Sequence, residues 1–66
     1  MLLYSNMYNN DIDFEILKMF YNEYMNIDEI ALKLDINVDE IDKIISFYYN
    51  KYFYDIPYQY IIISDE

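Results

Sequence analysis

The chain has no cysteine, no histidine, no glycine and no arginine, and only one proline, Pro57. Each absence removes a class of structure or chemistry. Without cysteine no disulfide can staple a short chain, and no thiol can act as a nucleophile. Without cysteine and histidine the usual structural zinc site cannot form. Histidine is also the usual base at neutral pH, so Ser5, Ser46 and Ser64 have no such base to activate them. A glycine-rich phosphate loop needs glycine, and so does the sharp bend of a calcium loop. The acidic run Asp11-Ile12-Asp13-Phe14-Glu15 therefore reads as first-turn acids of a helix. These exclusions point away from an enzyme and away from any cofactor, metal or small-molecule ligand. They also leave Asn, Asp and Pro to make every turn.

What is present is apolar, aromatic and acidic. Sixty-six residues bound the chain to one domain, residues 1–66. A chain of that length buries only about 60% of its unfolded surface. Hydrophobic content of 56% and aromatic content of 21% nevertheless exceed what a disordered chain carries. Ten tyrosines and four phenylalanines supply large buried areas from few residues. Thirteen acids stand against four lysines, for a net charge of −9. That charge opposes contact with anionic lipid or nucleic acid and favours a basic partner. The run Tyr60 to Ile63 is too short to span a bilayer, and Met1 to Asn6 has no basic start. A cytoplasmic protein is expected, in the host cytoplasm if the chain is viral.

Spacing along the chain gives a mainly α expectation. Met1 to Tyr4 is a candidate strand and Ser5 to Asn10 a polar loop. A first helix over about 12–25 starts near Asp11 or Asp13 and turns Ile16, Leu17, Phe20 and Tyr24 inward. Asn26 followed by Glu29, and Asn37 followed by Glu40, each have the spacing of a capping box. They predict helices over 27–34 and 38–50, with Ile41, Ile44, Ile45 and Tyr48 along one side of the latter. Residues 47 to 56 fit either a helical extension or a strand, because aromatics favour strands. Ile56 precedes Pro57 and is pushed toward extended geometry. A strand is expected over about 58–64. It would pair in a small sheet within the chain or with a second copy, since a bare apolar edge invites self-pairing. A homodimer is expected on that ground and from the surplus of aromatics.

Residues 27 to 46 resemble the helix-turn-helix superfamily. Ile30 and Leu34 match the inner positions of its first helix, and Ala31 the small residue at the crossing. Ile36 matches the apolar residue after the turn, and Ile41 and Ile44 the inner positions of the second helix. The resemblance implies a three-helix domain with a short C-terminal strand. Asp35 stands where the family often has glycine, and aspartate tolerates the left-handed conformation better than most residues. The larger departure is chemical. The family's second helix enters the major groove, and a reading face calls for Arg, Lys, Gln or Asn. Here that helix opens with Asp39, Glu40 and Asp42, offset locally by Lys43 alone. Two like charges about 4 Å apart repel by about 1 kcal/mol even in bulk water.

The acids therefore suggest a helix that faces a DNA-binding protein instead of DNA. Asp39, Glu40 and Asp42 form the leading candidate surface, Asp28, Glu29 and Asp35 a second acidic cluster, and Tyr49 an aromatic anchor. In size and charge the chain resembles small acidic bacteriophage inhibitors of host nucleic-acid machinery. The resemblance implies a DNA mimic that occupies the basic nucleic-acid-binding surface of a host protein, such as a replication sliding clamp, RNA polymerase or a CRISPR effector. The alternative is a helix-turn-helix transcription regulator acting through protein contacts, or as a dimeric DNA-binding repressor.

Overall fold

The computed structural model describes residues 2–4 and 11–64. The expected loop over Ser5–Asn10 lies outside the described residues. The fold is mainly helical, with three α-helices: α1 (Asp11–Tyr21), α2 (Ile27–Leu34) and α3 (Val38–Tyr48). Each packs against the other two. Two three-residue strands, β1 (Leu2–Tyr4) and β2 (Ile62–Ser64), lie side by side in parallel, with Leu2 opposite Ile62. The C-terminal strand thus finds its partner within the chain. Among the described residues no helix is long and apolar enough to cross a membrane.

The core lies where the helices meet the tail. Ile16 and Leu17 of α1, Ile30 of α2, Ile41 and Tyr48 of α3, and Phe53 and Ile61 of the tail are its most buried members. Each side chain of this size contributes roughly 1.5–3 kcal/mol when removed from water. Ile61 and Ile63 face in and Ile62 faces out, which is the period-two alternation of a strand.

The boundaries of α2 follow the sequence closely. Asn26 Oδ1 accepts from the Glu29 N–H at 2.8 Å, and the Glu29 carboxylate accepts from the Asn26 N–H at 3.2 Å. The capping box is complete. At the other end Asp35 takes the left-handed conformation, φ 56°, and the Ile36 N–H reaches back to the Ala31 carbonyl. Aspartate fills the place where helices commonly end on glycine. The second box is incomplete: Asn37 caps α3 through the Asp39 N–H at 2.8 Å instead of the Glu40 N–H.

Three expected elements end elsewhere. The first helix stops at Tyr21, because Tyr24 adopts φ 57° and the Met25 N–H turns back to the Met19 carbonyl. Tyr24 consequently lies outside, 78% exposed, and Met19 and Tyr21 take the inward positions instead. Beyond Tyr48 the chain stays helical but widens into a π turn over Tyr49–Phe53. Continued α winding would rotate Phe53 by about 140° from Tyr48. The wider turn, with its i→i+5 spacing, returns it to the core, where it is fully buried. Tyr58–Tyr60 forms a single 3₁₀ turn in place of a strand start. There the Tyr60 N–H bonds the Pro57 carbonyl and the Ile61 N–H that of Tyr58, which leaves only Ile62–Ser64 extended.

Candidate partner-binding surface

The carboxylates singled out by the sequence all stand at the surface. Asp28 and Glu29 are exposed in the first turn of α2. Asp35 is exposed at its end, and Asp39, Glu40 and Asp42 are exposed in the first turns of α3. The local reason is helical phase. Ile41, Ile45 and Tyr48 take the inner stripe of α3, so Asp39, Asp42 and Ser46 fall outside it. Acids in a first turn also suit the positive end of the helix dipole. Among the described residues no lysine lies within ion-pairing distance of Asp28, Asp35, Asp39, Glu40 or Asp42.

The linear charge density is high. Asp39, Glu40 and Asp42 fall within four residues, or about 6 Å of helix axis. That is close to one charge per 2 Å, against one per about 1.7 Å for duplex DNA. Lys43 sits beside them and lines an open groove of about 230 Å³ with Asp13, Ile44, Phe47 and Tyr48.

Tyr49 is tied to the tail. It is half-buried at the start of the π turn, its hydroxyl donates to the Tyr54 carbonyl, and its ring meets Tyr58 edge-on at 5.1 Å. The most exposed apolar residue beside the acids is Leu32, with Val38 exposed next to Asp39. Leu32 is 86% exposed on the outer side of α2. Asp28, Glu29 and Asp35 lie four and three residues before it and three after, the spacings that share a helix face. The signal was in the sequence: Ile30, Ala31 and Leu34 claim the inward phase of this helix, which leaves Leu32 outside.

Asp13 and the hydroxyls of Tyr48 and Tyr21 lie inside. Asp13 is only 6% exposed and accepts a hydrogen bond from the Tyr48 hydroxyl at 2.8 Å, so this first-turn acid serves the core. The Tyr21 hydroxyl is buried and has no hydrogen-bond partner among the described residues. Burial, with the phenols of Tyr58 and Tyr49 nearby, holds it well above the usual tyrosine range. Among the described residues no group of three metal-binding side chains converges.

Comparison with known proteins finds no matching family model, no matching curated protein and no matching solved structure. The functional reading therefore rests on this chain's own side chains.

Proposed function

We propose that the α2–α3 unit is a helix-turn-helix whose exposed carboxylates imitate nucleic-acid phosphates. The protein binds the basic nucleic-acid-contacting surface of another protein, as the small acidic bacteriophage inhibitors do. It acts by occupation, without catalysis, in the cytoplasm where such targets work. The observation that carries the reading is the exposure of Asp39, Glu40 and Asp42 in succession at the start of α3. Asp28, Glu29 and Asp35 extend the acidic surface along α2. Leu32 at their centre supplies an apolar contact of the kind that anchors protein interfaces, and it has no counterpart in a phosphate backbone.

Exposed Leu32 also favours a second reading. In it the same unit is an adaptor that touches RNA polymerase or another regulator through protein contacts, with no competition from DNA.

Charge reversal tests the first reading. The double substitution Asp39→Lys, Asp42→Lys changes the local charge by four units while leaving the Ile41–Ile45–Tyr48 stripe untouched. Capture of basic nucleic-acid-binding proteins from a bacterial lysate should fall at least tenfold, with the helical circular-dichroism signal retained. Equal capture by parent and variant would refute mimicry.

A further inference from the structure

At the junction between α1 and the tail lies a second surface that the acidic reading does not use. Phe20, Tyr21, Tyr24, Met25, Asn26 and Tyr58 line an open groove of about 310 Å³. The turn out of α1 builds one side of it. Tyr24 takes φ 57° and the Met25 N–H reaches back to the Met19 carbonyl, which leaves Tyr24 exposed at the rim. The 3₁₀ turn of the tail builds the other side. Tyr58 meets Phe20 edge-on at 5.6 Å and Tyr21 at a tilt at 5.5 Å, and stays half exposed. We propose that this groove receives an arginine side chain of a basic partner, laid against the aromatic rings with its charge toward the carboxylates beside them. The proposal rests on the reading above only for the partner's basic character.

Three observations select a cation. The first is charge. Between Lys18 and Lys33 the chain carries Glu23, Asp28 and Glu29 and no lysine, and all three acids are exposed. Glu29 is held at the edge of the groove, where its carboxylate accepts from the N–H of Asn26, a lining residue, at 3.2 Å. Such a groove repels an anion and attracts a cation. A neutral occupant gains nothing from its carboxylates.

The second is the lining. An arginine covers apolar surface with its stem while its head keeps polar contacts. The planar guanidinium also stacks on aromatic faces. Phe20 and Met25 offer apolar surface to the stem, and the exposed rings of Tyr24 and Tyr58 lie beside the acids.

The third is how the chain uses its other rings. Lys18 Nζ lies 5.4 Å from the centre of the Phe14 ring, and Lys51 Nζ lies 5.5 Å from that of Phe47 and 5.4 Å from that of Tyr52. A cation within about 6 Å of a ring centre is attracted by the ring's quadrupole. Among the described residues no lysine covers a ring of the groove. The attraction of these rings is left for a cation from outside.

Aromatic-resonance NMR on the full chain, titrated with a short arginine–serine peptide near physiological salt, tests the proposal. The Tyr24 and Tyr58 ring resonances should shift saturably. The same peptide with citrulline for arginine keeps the shape without the charge, and should bind there about tenfold more weakly. Tyr24→Asn removes a ring, asparagine suits the left-handed backbone, and binding read at Tyr58 should weaken about fivefold. Glu29→Gln keeps an acceptor for the capping hydrogen bond and removes the charge, and should weaken binding about threefold. Tyr24 and Tyr58 resonances that stay in place overturn the proposal, and if those of residues 39–42 move, the acidic reading stands without it. Shifts at the groove with none at residues 39–42 support this site and count against the acidic face. Equal binding of the arginine and citrulline peptides would give the groove to a neutral partner. Tyr24 and Tyr58 resonances that move with the chain's own concentration, without peptide, would give it to a second copy. Either result overturns the proposal.

Discussion

Asp13 and Tyr48 stand 35 positions apart in the chain and share one buried hydrogen bond. Tyr48→Phe removes the donor while leaving the carboxylate in place, and a hydrogen bond to a charged group is worth about 1.5–3 kcal/mol. Urea unfolding should show a loss in that range, and an unchanged midpoint would contradict the assignment. Tyr21 is the opposite case, because its buried hydroxyl has no partner among the described residues. Tyr21→Phe deletes a group that gains nothing from the fold, so stability should be unchanged or rise by about 1 kcal/mol. The same residue sets an alkaline limit. Its phenol is held protonated in the folded chain above the ordinary tyrosine value. The folded-state pKa is raised, so the phenol leaves stability unaffected below about pH 10, and stability falls as pH climbs beyond it, because unfolding frees the phenol to ionise. Equilibrium unfolding above pH 10 should fall less steeply in Tyr21→Phe than in the parent, and parallel pH profiles would refute the link.

Among the elements, Asn22 connects the end of α1 to β2 through two hydrogen bonds to Ile63. Asn22→Ala leaves a partly buried N–H and carbonyl unpaired and should cost about 2 kcal/mol or more, at 1–3 kcal/mol per orphaned group. It also uncovers the strand edge, so the variant should become more prone to aggregation on storage. Equal stability and solubility in parent and variant would contradict this role. The elements also show what the sequence made legible. Both ends of α2 were readable because they rest on local signals: Asn26 with Glu29 three residues on, and Asp35 able to turn left-handed. The end of α1 was not, because Tyr24 is a poor candidate for positive φ and only its surroundings place it there. The π turn was hidden for a similar reason, since the pull on Phe53 comes from the core. Asp13 read as a helix-start acid because its partner lies so far along the chain. The six carboxylates are exposed, as their positions in the sequence implied, whereas the tie of Tyr49 to Tyr54 and Tyr58 was hidden because those partners belong to a tail whose path no local signal fixes.

For the molecule as a whole the governing quantity is a charge of −9 on a body with a radius of gyration of 10.9 Å. At 0.01 M salt the screening length is about 30 Å, and every carboxylate feels the others; at 0.15 M it is about 8 Å. Self-repulsion destabilises a compact state, so the melting temperature should rise between these conditions. A fall would show that attractive pairs outweigh repulsion. Tolerating that repulsion fits the proposal that the acidic face meets a compensating positive surface. Duplex DNA is the competitor that distinguishes the readings. The protein is immobilised, loaded with captured partners from a bacterial lysate, and washed with duplex DNA near physiological salt. The account predicts that the captured protein leaves with the DNA while the immobilised chain retains none. Partners that stay bound through the wash, or duplex held by the chain itself, would contradict it.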